Sequence, residues 1–223
     1  MIRTAMIFAA GRGERMRPLS DKTPKPLLRA GVKMLIEHHL EKLGAAGVED
    51  VVINTAHLAE QFPEALGDGT RWGLRIRYSY EGPDPLETGG GLRHALPLLG
   101  TEPFIGLAAD IVSNFDYSTL NIESNALAHL VMVPNPPFNA RGDFWLEGTR
   151  LNEDGAGERL TFSSIGVYRP ELVAGETALR FKILPIFESA MRAGKLSGEK
   201  YSGSWMNVGT PLQLREAAER FPG

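Results

Sequence analysis

Apolar positions along the chain follow two alternating rhythms. Ala5 to Ala10 is a short uninterrupted apolar run, and so are Val51 to Asn54 up to its final polar residue and Phe104 to Ala108. Runs of this length without polar alternation suit strands buried on both faces. Between them the spacing changes. Leu35, Ile36, Leu40 and Leu43 recur at helical intervals and predict a helix from Met34 to Ala46, with Gly47 as its stop. Leu58 to Leu66 predicts a weaker helix that Pro63 should break. Gly67-Asp68-Gly69 reads as a turn, and Leu74 to Tyr80 alternates like a half-buried strand. Strand, helix, strand, helix, strand is the rhythm of an α/β fold, a mostly parallel sheet flanked by helices.

The second half is more broken. Leu127 to Val133 predicts a strand with His129 in its middle, where a histidine satisfied within the core is the ordinary reading. Asn135-Pro136-Pro137 interrupts the chain, and Arg141-Gly142-Asp143-Phe144 leads into a further strand. Asn152 to Gly157 is a polar turn, and Arg159 to Tyr168 predicts a strand. Phe181 to Ala193 predicts a helix with Pro185 near its start, and Pro211 to Arg220 a last one. No internal repeat or low-complexity segment is visible.

The loop after the first strand changes the picture from fold to chemistry. Gly11-Arg12-Gly13 follows the apolar run, then come Arg15 and Arg17, and Lys25 sits between Pro24 and Pro26. Glycines after a strand let backbone N–H groups approach an anion, and Arg and Lys add mobile positive charge. The combination suits a polyphosphate. Gly13 is not followed by a third glycine at the dinucleotide-fold spacing, and no Gly-Lys-Ser/Thr of a P-loop occurs. A second glycine-rich stretch, Glu87-Thr88-Gly89-Gly90-Gly91, opens a helix expected from about Leu92 to Leu98. Three glycines there are costly in backbone entropy, so either a tight turn or a flat ligand against bare backbone is expected. Asp110 stands just past the strand at 104–108, at the edge where open α/β sheets place ligand chemistry, although a turn-capping Asp would look the same.

Composition narrows the classes. The chain has 223 residues, 43% of them hydrophobic, enough for a sizeable core. A formal net charge of −3 gives no global basic field for nucleic acid or an anionic membrane. There is no cysteine, which excludes disulfides, thiolate zinc sites and a cysteine nucleophile. No stretch approaches the ~20 apolar residues of a membrane span, and no secretory signal is evident. A soluble cytoplasmic protein is the expectation.

The N-terminal stretch resembles the signature of the sugar-phosphate nucleotidyltransferases, A-A-G-x-G-x-R-M-x-P-L-T…P-K-P-L. Here it stands as Ala9-Ala10-Gly11-Arg12-Gly13-Glu14-Arg15-Met16-Arg17-Pro18-Leu19-Ser20, then Pro24-Lys25-Pro26-Leu27. The resemblance spans nearly the whole chain. It implies a Rossmann-like, glycosyltransferase-A-like arrangement in one domain over 1–223, its nucleotide-binding part about 1–110 and its sugar-binding part about 111–210. It implies a reaction in which a sugar 1-phosphate and a nucleoside triphosphate give a nucleotide-sugar and pyrophosphate. The segments E-T-G-G-G, A-L-P-L-L-G and R-G-D-F, with the short C-terminus, are most similar to the N-acetylmuramate 1-phosphate uridylyltransferases of cell-wall recycling. UTP and N-acetylmuramate 1-phosphate are then the expected partners, with a mannose or glucose 1-phosphate nucleotidyltransferase as the alternative.

Carried over position by position, the resemblance assigns Ala10, Gly11, Arg12 and Gly13 to the phosphates and Arg15 to the leaving β- and γ-phosphates. Lys25 falls between the α-phosphate and the attacking phosphate. Glu87, Thr88, Gly89 and Gly90 become base-side candidates. Asp110 is the position that holds Mg²⁺ in the family. Three departures surround it. Ala108 and Ala109 replace a frequent Asn-Gly, which removes an amide from the sugar side, and Asn207 replaces the Asp of W-x-D-x-G-T-P, the second metal ligand. Asparagine keeps a carbonyl oxygen but no charge, so Mg²⁺ binding without nucleotide should weaken. Such a cluster is also what a binding protein with weakened catalysis would show. On the sugar side Asp143 suits either a turn or sugar hydroxyls, Ser163 is a further candidate, and Lys182 matches a basic position of the family, although a solvated lysine is its more ordinary reading.

Overall fold

The computed structural model describes residues 1–155 and 157–222. In chain order the elements are β1 (Thr4–Phe8), β2 (Arg29–Ala30), β3 (Lys33–Met34), α1 (Leu35–Ala45), β4 (Asp50–Thr55), α2 (Gln61–Leu66), β5 (Arg75–Tyr80), α3 (Glu87–Leu99), β6 (Phe104–Ala108) and β7 (Ile111–Ser113). The second half holds β8 (Ala128–Val133), β9 (Phe144–Glu147), β10 (Arg150–Asn152), β11 (Glu158–Tyr168), α4 (Glu171–Ala174), α5 (Leu184–Arg192), β12 (Leu196–Lys200), β13 (Trp205–Asn207) and α6 (Pro211–Arg220).

Among the described residues one sheet of nine strands runs β5-β4-β1-β6-β11-β8-β12-β10-β9. The first four are parallel to one another. β11 then runs antiparallel to both β6 and β8, while β12 is parallel to β8. The parallel character belongs to the first half, and the second half mixes directions. The apolar run of β1 has a direct explanation. Ala5 and Ile7 pack into the cluster that holds Ile36, Leu40 and Leu43 of α1, whereas Met6 packs into the opposite cluster with Leu92, Ala95 and Leu99 of α3. A strand covered on both faces has no solvent side on which to place a polar residue. Gly47 ends α1 as expected, with φ +81° just past its cap.

Several elements differ from the pattern. Pro63 does not break α2, because the helix starts at Gln61 and places the proline in its first turn, where no N–H is needed. The α3 helix begins at Glu87 rather than Leu92, so the three glycines lie inside it. α5 starts at Leu184, three residues later than expected. β12 has the sequence LSGEK, in which Leu196 is the single apolar residue, yet it sits between β8 and β10 with Ser197 and Gly198 buried. Among the described residues no helix is long and apolar enough to cross a membrane.

A small ribbon stands apart from the main sheet. β7 pairs with β13 antiparallel, Val112 opposite Met206 and Ile111 opposite Asn207. Met206 and Val112 pack with Leu214 and Ala217 of α6 in a third cluster.

Candidate active site

A cleft of about 560 Å³ opens at the carboxyl edge of β1, β4 and β6. Its walls are the loop from Phe8 to Glu14, Lys25 with Pro26, the ends of β4 and β5 at Asn54 and Glu81, the approach to α3 at Glu87 and Thr88, and Ala108 to Asp110. This is the edge at which open α/β sheets receive ligands. Ala10, Gly11, Arg12 and Gly13 all line it.

The loop is held by its own main chain. Gly13 sits at φ +63°, a left-handed conformation that side chains resist. Its carbonyl accepts from the Met16 N–H at 2.8 Å and from the Ser20 hydroxyl at 2.8 Å. A Cβ on Gly13 would come within 3.1 Å of the Lys25 Cβ, so the loop lies close over the lysine. A Cβ on Gly11 would meet nothing within 4 Å, so this part of the loop faces open space. Lys25 Nζ donates to Asp110 Oδ2 at 2.5 Å, joining the first loop to the end of β6 across 85 residues. Both side chains are largely covered, Lys25 12% and Asp110 26% exposed. A charge-assisted bond in this setting fixes both groups more firmly than a surface pair would.

Three cleft residues carry no role in the sequence pattern. Asn54 is 3% exposed, and its Oδ1 accepts from the Ala9 N–H at 2.7 Å while its Nδ2 donates to Glu81 Oε1 at 2.6 Å. Glu81 Oε2 in turn accepts from the Leu86 N–H at 2.7 Å. This buried relay ties the phosphate-side loop to the start of α3. The available signal was a polar residue closing the apolar run V-V-I-N at a strand's carboxyl end. Arg180 is the third addition. It lines the cleft and reaches Glu87 at 3.5 Å. Lys182, the expected basic residue of this segment, is exposed and lies outside the cleft walls.

The glycines of α3 have a packing reason. A Cβ on Gly89 would come within 2.5 Å of the Phe181 ring, one on Gly90 within 2.4 Å of the Leu179 carbonyl, and one on Gly91 within 2.2 Å of Glu81 Oε1. Gly90 N–H also donates to the Phe181 carbonyl at 3.0 Å. Gly89 and Gly90 therefore face the 179–181 segment instead of the cleft, and only Glu87 and Thr88 of the four base-side candidates line it.

The sugar-side candidates separate. Ala108 and Ala109 line the cleft beside Asp110. Asp143 uses both oxygens internally, accepting from Asn139 Nδ2 at 2.9 Å and from the Phe162 N–H at 2.8 Å, which pins the 137–143 turn to β11. It also borders a second cavity of about 520 Å³ with Phe162 and Ser164. Ser163 is fully buried, and its hydroxyl accepts from the Ile165 N–H at 3.1 Å. The cause is a bulge between Phe162 and Gly166, where Ser164 takes φ +63° and the strand's alternation slips. Ser164, not Ser163, is the residue turned to a cavity. His129 meets the expectation of a satisfied histidine, its Nδ1 2.9 Å from the Ser197 hydroxyl.

Arg15 is exposed and lies against Gly209, where a Cβ would stand 2.9 Å from its Nη2, and it is not among the cleft walls. Asn207 is brought next to Asp110 by the ribbon: it pairs with Ile111, and the Val208 N–H donates to the Asp110 carbonyl at 2.7 Å. Its side chain borders a third cavity, of about 580 Å³, with Phe138 and Trp205. Among the described residues no group of three or more His, Cys, Asp or Glu could hold a metal by itself. The Asp110 carboxylate, in the turn between β6 and β7, and the Asn207 amide carbonyl, on β13, are hard oxygen donors. They fit Mg²⁺, which keeps much of its water shell and is commonly held by one or two protein oxygens plus substrate phosphates.

Comparison with known proteins places this geometry in a class. Residues 4–137 match the nucleotidyl transferase family, and the chain belongs to it, an enzyme of the sugar-phosphate nucleotidyltransferase kind. It is 46% identical over 221 residues to the N-acetylmuramate alpha-1-phosphate uridylyltransferase of Neisseria meningitidis, covering 96% of each chain. It is 34% identical over 233 residues to the protein of the same name from Caulobacter vibrioides, covering 96% of this chain and 95% of the other. Among solved structures, HddC from Yersinia pseudotuberculosis, complexed with GMP-PN, superposes with a TM-score of 0.77 at 18% identity, covering 99% of this chain and all of the other. That likeness is one of fold.

Proposed function

We propose that this chain transfers UMP from UTP to N-acetylmuramate α-1-phosphate, giving the UDP-sugar and pyrophosphate, in the cytoplasmic recycling of cell-wall sugars. The observation that carries the reading is the Lys25–Asp110 pair beneath the Gly11–Gly13 loop. The 46% identity along almost the full length of a relative so named supports this choice of substrates. In this reading the nucleotide occupies the part up to about residue 110 and the sugar the part from about 111 to 210.

The chemistry asks little covalent work of the protein. An oxygen of the sugar phosphate attacks the α-phosphorus, a new P–O bond forms, and the bond from the α-phosphorus to the bridging oxygen breaks so that pyrophosphate leaves in line. Two anions must be brought together, and positioning with charge neutralisation supplies most of the acceleration. Backbone N–H groups of Ala10 to Gly13 receive phosphate oxygens. Lys25 lies between the α-phosphate and the attacking phosphate. Arg15, on the exposed side of the loop, is the side chain assigned to the β- and γ-phosphates. Glu87 and Thr88 border the base. Mg²⁺, held by Asp110 and Asn207, would supply further neutralisation of the triphosphate. Because Asn207 adds no charge, Asp110 carries the electrostatic share of the protein's hold on it.

The test is pyrophosphate release with Mg²⁺, each nucleoside triphosphate paired with a panel of sugar 1-phosphates. Turnover highest with UTP and N-acetylmuramate α-1-phosphate is the expected result. A clear preference for a mannose or glucose 1-phosphate would overturn the substrate assignment while leaving the mechanism, and folded protein that binds UTP without turnover with any pair would overturn both.

A further inference from the structure

Against the β7–β13 ribbon α1 sets two titratable side chains that the chemistry above does not use. Lys42 donates from Nζ to the Ser113 carbonyl at 2.6 Å and lies over the Tyr117 ring, 4.7 Å from its centroid. One turn earlier, His39 is buried with its Nδ1 2.8 Å from the Tyr117 hydroxyl. Among the described residues no carboxylate lies within ion-pair distance of Lys42, and the attraction of Asp116 acts from farther off. Burial pulls the Lys42 ammonium down to about 8, and burial together with Lys42 keeps His39 neutral.

A half-buried cation without an anionic partner is an expensive way to fill space. An apolar side chain of similar volume would serve the core equally well. What the ammonium does that an apolar chain cannot is grip a main-chain carbonyl with a charge-assisted bond. The carbonyl it grips belongs to the last residue of β7. Ser113 is three residues from Asp110, and its cross-strand partner Trp205 is two from Asn207. The ribbon is a two-stranded pair, too small to hold its shape alone; α6 packs on its Val112 and Met206, and Lys42 grips it from α1.

We propose that Lys42 is a positioning residue: by holding the Ser113 carbonyl it fixes the β7–β13 ribbon so that Asp110 and Asn207 present their oxygens together to Mg²⁺. This rests on the reading of those two residues as the metal donors. Tyr117, clamped between Lys42 and His39, is the second point of the same attachment. The groups that face Lys42 are Asp116 and Tyr117 from the segment after β7 and His39 from its own helix. Loss of the Lys42 proton turns a charge-assisted bond into a neutral one, so the grip weakens as pH rises through about 8.

The experiment compares Lys42→Met, Lys42→Arg and Asp110→Asn with the parent chain. Expected for Lys42→Met is a Mg²⁺ half-saturation raised about tenfold or more, the scale seen when a group behind a metal ligand is removed. Its melting temperature stays near that of the parent, and amides of Ile111 to Ser113 and Trp205 to Asn207 exchange faster in metal-free protein. Lys42→Arg restores both readouts in part. The parent's Mg²⁺ half-saturation rises above pH 8, and that rise is absent in Lys42→Met. Unchanged exchange and unchanged Mg²⁺ dependence in Lys42→Met would overturn the proposal, as would faster exchange with unaltered Mg²⁺ dependence. An Asp110→Asn variant with the parent's Mg²⁺ dependence would instead remove the metal reading on which it rests, and the proposal with it.

Discussion

Lys25 Nζ and Asp110 Oδ2 stand 2.5 Å apart, closing the distance between a loop at the start of the chain and the end of the fourth parallel strand. The pair sets a cation and an anion at the same point of the cleft. One is suited to the phosphates and the other to Mg²⁺, and each holds the other in place before substrate arrives. Lys25→Ala should therefore lower kcat by about 10²- to 10³-fold, the scale of removing one aimed donor from a developing anion. The melting temperature should shift little, since Asp110 remains partly open to water. Steady-state kinetics with a melting curve decide it; parent-like turnover would remove Lys25 from the chemistry.

The buried relay through Asn54 makes a different prediction. Asn54→Ala leaves the Ala9 N–H and Glu81 Oε1 without their partner in a site closed to bulk water. An orphaned buried polar group costs about 1–3 kcal/mol, more when it is charged. Stability should drop by at least that much in urea titration. The KM for nucleotide should rise more than kcat falls, because the relay joins the phosphate loop to the wall formed by Glu87 and Thr88 without touching the reacting atoms. A variant that lost kcat alone would show that the relay acts elsewhere.

How much of this was legible in the chain depends on what each residue answers to. The parallel half was readable because β1, β4 and β6 are covered on both faces and so announce themselves as apolar runs. Gly11 to Gly13, Lys25 and Asp110 were legible as residues of one cleft because each stands in a short motif or just past a strand end. Asn54 and Glu81 were not, since each works by reaching a partner 45 and 27 residues away in the chain. The packing reason for Gly89 and Gly90 was hidden for the same reason: what they make room for is Phe181 and Leu179, a contact the sequence does not record. Ser163 went astray on a bulge, which shifts alternation by one residue and leaves no compositional trace. β12 went unseen because a strand enclosed by other strands can be built from Ser and Gly.

Asn207 gives a gain-of-function prediction. The ribbon places it opposite Ile111 and next to Asp110, so Asn207→Asp adds a carboxylate at the proposed metal position with almost no change of shape. Mg²⁺ gains most from charged oxygen ligands. The Mg²⁺ half-saturation should fall about tenfold, equivalent to roughly 1.4 kcal/mol of binding. The effect should be largest at low nucleotide concentration, where triphosphate oxygens contribute least. Calorimetric titration of metal into the free protein checks this directly, and equal affinities in parent and variant would take Asn207 out of the metal site.

His39 predicts how the fold responds to acid. Burial, reinforced by the nearby Lys42 charge, lowers its pKa from 6.5 to about 3. Between those values the unfolded chain binds a proton that the folded chain refuses. Stability contributed by this residue is therefore whole above pH 6.5 and declines as pH falls toward 3. The loss over the full window is on the order of several kcal/mol, a large part of the stability of an ordinary domain. Protonation would also set a second cation beside Lys42, under the segment that carries Tyr117, so the β7–β13 ribbon should be among the first parts to open. Replacing the titratable ring by an amide in His39→Gln should lower stability at pH 8, where the Tyr117 contact is disturbed. It should also flatten the decline between pH 6.5 and 4. Urea midpoints measured at half-unit steps of pH test the sign and the window together, and parallel curves for parent and variant would show that acid acts on the fold through other groups.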